Sequence, residues 1–251
     1  MSYKIYSPDK QANGAFDQGR IIEKKPLGFP QDGGAVKPYS NLFYWAHAWS
    51  EGGGFIAEHP HTGFEIMTYV LKGSIEHYDN KIKRWVSLDK GDLQVIKAGN
   101  GITHAERLLK DSAMFQIWFD PDLKQSTKKE AAYQDYRAID FPVLQQNGNT
   151  IKQLVGNASK VKFDTEGVEI SEYQLNEGRI ELLLDKKKIY SAFLIEGEIE
   201  FRNSPIHKGD FFVLENENDV ELIVNKESLL FVIDTPKNLV YNTYYEMITK
   251  N

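Results

Sequence analysis

Val70-Leu71-Lys72-Gly73-Ser74-Ile75-Glu76 is echoed by Leu194-Ile195-Glu196-Gly197-Glu198-Ile199-Glu200, and Lys90-Gly91-Asp92-Leu93 is echoed by Lys208-Gly209-Asp210-Phe211. Each copy sets a glycine at a hairpin corner and a Gly-Asp turn before the next strand. The stretch between the two signals is longer in the first copy, a difference that a shortened hairpin loop absorbs. In a chain of 251 residues, such a repeat predicts two related antiparallel β units, each large enough to bury a core.

Short runs of β-branched and aromatic residues, punctuated by Gly-Asp, Asp-Asn, Glu-Gly and Asn-Gly, recur over residues 42–118 and again over 168–234. Residues 123–140 break the rhythm. They are charged and alanine-containing, and with Asp120-Pro121-Asp122 ahead of them they predict a short helix or irregular linker. Phe141-Pro142 and Gln145-Gln146-Asn147-Gly148-Asn149 mark a boundary. The expectation is an all-β chain of two jelly-roll, cupin-like barrels, with an N-terminal domain over residues 1–140 and a C-terminal domain over 141–251.

Lys and Arg number 30 against 36 Asp and Glu, and the net charge of −6 opposes a phosphate backbone, so no direct nucleic-acid partner is expected. There is no cysteine, which removes disulfides, thiolate nucleophiles, Cys-ligated zinc and iron–sulfur clusters together. Any metal must be held by nitrogen and oxygen. Residues 1–10 lack the apolar core of a secretory signal. Apolar runs reach about five residues, as in Leu229-Leu230-Phe231-Val232-Ile233, against the roughly twenty of a spanning helix. No membrane contact and a cytoplasmic address are expected. Gly52-Gly53-Gly54 and Gly99-Asn100-Gly101 neither open a helix nor precede a Lys-Ser/Thr pair, so they are turn glycines and not phosphate cradles. With no Gly-x-Ser-x-Gly elbow, covalent hydrolase chemistry also lacks support.

Of six histidines, two form His59-Pro60-His61, and an extended segment places both imidazoles on one face. The proline excludes a helix interior and suits an edge or entry strand. His104 and Glu106 repeat the two-residue spacing downstream. Three imidazoles and one carboxylate can then converge. That set suits iron(II), manganese, nickel, copper or zinc, one ion per chain, and in an octahedral ion it leaves two positions open for substrate or dioxygen.

His59-Pro60-His61-Thr62-Gly63-Phe64-Glu65, Tyr69-Val70-Leu71-Lys72-Gly73, Gly91-Asp92-Leu93-Gln94 and His104-Ala105-Glu106 together resemble the pirin family of bicupins. The resemblance extends through Gln116-Ile117-Trp118-Phe119 and Tyr133-Gln134 and is looser in the second unit. It implies iron held by His59, His61, His104 and Glu106 in the first barrel. It further implies either oxidative ring opening of the flavonol quercetin or metal-dependent contacts with partner proteins. The chain departs from the family at Thr62, where a basic residue is common, and at Val95, where an aromatic one is common. Neither is a proposed ligand, so the departures bear on substrate and not on metal.

Glu65 competes with Glu106, because many cupins take a carboxylate ligand shortly after the His-x-His pair. Glu106 is favoured, which leaves Glu65 to orient His59 or His61 or to act as a base. Setting Gly73 on Gly197 and Gly91 on Gly209 carries the four ligands onto Leu183, Asp185, Leu222 and Val224, so the second barrel is expected to hold no metal. His47 and His207 are expected to be structural or exposed, whereas His77 lies on the strand after the ligand hairpin and can reach the site. Phe43, Trp45, Phe64, Phe115 and Trp118 supply core packing, with one or two free to line a slot for a planar substrate. The leading expectation is therefore an iron-dependent dioxygenase of the quercetinase type, using Glu106 or Glu65 as base on a small aromatic enol. The alternative is a non-catalytic metal or redox sensor that binds a partner protein.

Overall fold

The computed structural model describes residues 3–250, so the reading of the amino terminus falls in part, at residues 1 and 2, outside the described residues. Strand dominates, and among the described residues the α-helices are the short Leu123–Ser126 and Tyr244–Thr249. None of them is long and apolar enough to cross a membrane. The chain forms two compact units. One contains residues 11–140, 163–165 and the segment from Val240 onward; the other contains 141–162, 166–239 and the beginning of the chain up to Lys10.

The first unit is an antiparallel sheet ordered Ala132–Tyr136, Leu93–Lys97, Glu65–Lys72, Ile102–Phe119, Leu42–His61, Ile21–Leu27 and Ala12–Phe16, with Ser74–Asp79 also paired to Ile102–Phe119. Its backbone is the ladder between the two long strands, which runs from Leu42 opposite Phe119 to His61 opposite Ile102. Ile21, Ile56, Val70, Ile75, Leu108 and Met114 pack between the strands. The expected linker helix stops at Ser126, after Asp122 caps it through Lys124 N. From Ala132 the chain instead adds an edge strand, because Tyr133 packs against Ile66, Ile96 and Ile102.

The second unit repeats this plan in the order Tyr3–Tyr6, Phe211–Glu215, Lys188–Phe201, Asp219–Pro236, Glu169–Leu175, Asn149–Val155 and Val143–Gln146. The repeated turns are hydrogen-bonded alike. Gly91 N donates to Val70 O and Val70 N to Asp92 O, while Gly209 N donates to Leu194 O and Leu194 N to Asp210 O. Gly73 (φ 64°) and Gly197 (φ 95°) both turn left-handed, and a Cβ on Gly197 would overlap Ser228 and the Glu227 carbonyl, so glycine is required at the corner.

Two expectations need correction. A cut at residue 140 misassigns the chain ends, because Tyr3–Tyr6 pairs with Phe211–Glu215 of the second barrel, whereas Tyr241 donates to the carbonyl of Asp120 in the first at 2.7 Å. The ligand correspondence also shifts. Val70 faces Met114 as Leu194 faces Leu230, and His59 faces His104 as Leu182 faces Val220. The counterparts of His59, His61, His104 and Glu106 are therefore Leu182, Leu184, Val220 and Leu222, not Leu183, Asp185, Leu222 and Val224. Loops of different length moved the register, and Leu183 in fact points to solvent.

Candidate metal centre

Strand parity and one bulge build the cluster. His59 and His61 end the strand Leu42–His61, and a register shift between Ile56 and His59 sets His59 directly opposite His104. His61 Nε2 stands 2.8 Å from His104 Nε2, which stands 3.0 Å from His59 Nε2. A proton can satisfy one such contact but not the whole set. Ligands at about 2.0–2.1 Å from one ion, set at right angles, lie about 3 Å apart. The spacing thus fits three nitrogens directed at a common cation.

Protonation and tautomer favour the same role. His59 Nδ1 donates to the carbonyl of Ala57 at 2.8 Å, which leaves its Nε2 lone pair facing the cluster. Burial, with the neighbouring His59, lowers His61 to about 3, and burial lowers His104 further, with His61, His59 and His77 adding to the effect. Both rings are neutral at ordinary pH, the form that ligates.

Glu106 is fully buried and accepts from Gln116 Nε2 at 2.7 Å and from Thr68 Oγ1 at 3.4 Å. Gln116 Oε1 in turn accepts from Trp118 Nε1, and Trp118 meets His61 edge to face at 4.7 Å. Donor atoms of His59, His61 and His104 lie within 4.8 Å of one another, and so do those of His77, His104 and Glu106. The carboxylate therefore groups with His104 and His77 and not with all three expected imidazoles at once. Among the described residues these two groups, sharing His104, are the candidate metal-binding clusters.

His77 does reach the centre. It is fully buried, donates from Nε2 to Asp79 Oδ2 at 3.1 Å and stacks on Tyr133 at 5.0 Å. Glu65, expected to compete as ligand or to orient His59 or His61, does neither. Its carboxylate accepts from Asp164 N, Thr165 N and Thr165 Oγ1 and faces Lys97. Three donors consume it as the anchor of segment 163–165. Among the aromatics, Trp45 and Phe115 are core residues, whereas Phe43, Phe64 and Trp118 form a cluster beside His61. Sequence reasoning gave Thr68 and Gln116 no role. Their signal was a lone polar residue within the otherwise apolar runs 66–71 and 114–119, together with replacement by Ala192 and Val232 in the second copy.

Two related antiparallel barrels in one chain, one of them carrying a histidine–glutamate cluster between facing strands, define a bicupin. A family model described as Pirin matches residues 37–119. A protein of Pseudomonas aeruginosa provisionally named quercetin 2,3-dioxygenase is 31% identical over 199 residues, covering 73% of this chain and 78% of that protein. The chain belongs to the pirin family. Pirin-1 of Arabidopsis thaliana is 33% identical over 129 residues, 51% of this chain, and the match takes in 43% of Pirin-1, less than half its length. The crystal structure of the Escherichia coli bacterial pirin YhhW in complex with nickel(II) shares the fold, with a TM-score of 0.76 at 18% identity, covering 94% of this chain and 100% of that one.

Proposed function

We propose that this protein is a metal-dependent dioxygenase of the quercetinase type, opening a flavonol-like aromatic enol with dioxygen. The observation that carries the reading is the convergence of three imidazole Nε2 atoms, with the buried carboxylate of Glu106 grouped on the shared His104. His59, His61 and His104 would hold one divalent ion, with Glu106 as the carboxylate ligand. Iron(II) is the favoured ion, and the nickel of the E. coli relative falls within the same donor preference. When bound, such an ion supplies Lewis acidity and open coordination positions.

The remaining work belongs to the chain's own side chains. Glu106 accepts the proton of the substrate hydroxyl, and Oε1 is the atom available, since Gln116 holds Oε2 at 2.7 Å while Thr68 stands off at 3.4 Å. Trp118, Phe43 and Phe64 offer an aromatic wall next to His61 against which a planar ring stacks and from which water is excluded. The name of the P. aeruginosa relative supports the substrate class. The test is oxygen uptake and loss of quercetin absorbance by protein reconstituted anaerobically with iron(II). Wild type is expected to consume both together and His59→Ala neither. One bound metal without oxygen uptake overturns the reading.

A further inference from the structure

The second barrel keeps the place of the metal centre while losing its chemistry. Leu182, Leu184, Val220 and Leu222 replace the three histidines and the glutamate, and Ala192 opposite Val232 replaces Thr68 opposite Gln116. The barrel mouth is left open to solvent beside the exposed Leu183. A cavity of about 210 Å³ remains, walled by Leu182, Leu184, Leu222, Ala192, Val232 and Phe212. Ala192 and Val232, both smaller than their counterparts, hold it open.

One end of the cavity is polar. Asp234 stands where the first barrel has Trp118, and Tyr190, Tyr173 and Ser171 border it. Asp234 Oδ2 accepts from Lys188 Nζ at 2.6 Å, and Lys188 also pairs with Glu169, so the carboxylate is held in place but keeps further acceptor capacity. The volume exceeds the ~150 Å³ that accommodates benzene and falls short of the ~300 Å³ at which drug-sized pockets begin. Apolar walls and the acidic side chains of Asp234 and Glu181 select a neutral molecule over an anion. We propose that the second barrel is a binding site for a small monocyclic aromatic molecule of phenol size, its ring among the leucines and its hydroxyl donating to Asp234. This site is independent of the metal centre and of the reaction proposed there.

The full chain is titrated with phenol, toluene and benzoate while leucine and valine methyl resonances are followed by NMR. Phenol is expected to produce saturable shifts at Leu182, Leu184, Leu222 and Val232, half-complete on the order of 1 mM for a ligand this small. Toluene should bind more weakly and benzoate should leave these methyls unmoved. Ala192→Phe fills the cavity from one wall and Ser171→Leu from another, and each folded variant should lose the phenol shifts. If Ala192→Phe does not fold, Ser171→Leu decides alone. Absence of saturable shifts at these methyls up to ~50 mM overturns the site, given the efficiency expected of so small a ligand. Shifts confined to the first barrel, or shifts that survive in the folded variants, overturn it equally.

Discussion

Gln116 donates to Glu106 across 2.7 Å, and both side chains project from one face of the strand Ile102–Phe119 into the first barrel. In the second barrel the two positions have become Val232 and Leu222 together, as expected of a pair that serves one purpose. A carboxylate held by such a partner is pre-aimed for the ligand role proposed for it. Gln116→Leu should therefore weaken metal binding by about 10- to 100-fold without changing the one-to-one stoichiometry. Competition with a chelator of known affinity measures this.

His104 belongs to both groups of potential ligands, so the two groups make opposite forecasts for His59 and His77. His77 Nε2 is engaged by Asp79 and its ring is stacked on Tyr133, whereas the His59 Nε2 lone pair faces the cluster. Metal analysis after dialysis should find about one ion per chain in wild type and in His77→Gln, and none in His59→Ala. Loss of the ion in His77→Gln alone would move the metal to the other group.

Glu65 supplies a contrast because its role is architectural. Its substitution by alanine leaves the buried N–H of Thr165 and the part-buried N–H of Asp164 without their acceptor. At about 1–3 kcal/mol for each orphaned group, Glu65→Ala should cost on the order of 3 kcal/mol. Metal content should stay at the wild-type value. Denaturant unfolding and metal analysis on the same preparation separate the two effects.

Much of this was legible in the chain because strand side chains alternate and turns leave signatures. The paired glycine corners and Gly-Asp turns marked two barrels, and two-residue spacing placed His59 with His61 and His104 with Glu106. The failures share a cause. Glu65 has the right residue type at a familiar spacing, but its partner lies about a hundred positions away at Thr165, and such a contact leaves no local trace. The counterparts in the second barrel slipped because loop lengths on either side of the ligand strands changed independently, and a one-residue slip reverses the face of a strand. The exchange of chain ends was hidden for the same reason, since Tyr3–Tyr6 and Tyr244–Thr249 carry no mark of the sheet or aromatic cluster that receives them.

Asp120 ties the carboxyl-terminal helix to the first barrel and should make that attachment sensitive to pH. Its Oδ2 accepts from Tyr244 N at the start of the helix, and Tyr244 packs against Phe43 and Phe64. Burial pushes the Asp120 carboxyl up to about 7, against partial relief from the N–H groups of Tyr244 and Tyr245. A raised folded-state value means that the folded protein keeps its proton longer than the unfolded chain does. The associated stability is complete below about pH 4 and is lost as pH climbs toward about 7, a change on the order of 4 kcal/mol at most. The buried His61 and His104, whose values are lowered, act in the opposite sense and lose stability toward acid. Comparison with Asp120→Asn cancels their share. Between about pH 5 and about pH 8, amide exchange across Tyr244–Thr249, corrected for its intrinsic rate, should accelerate in wild type and hold nearly constant in Asp120→Asn. Equal acceleration in both proteins would show that Asp120 is not the group that titrates.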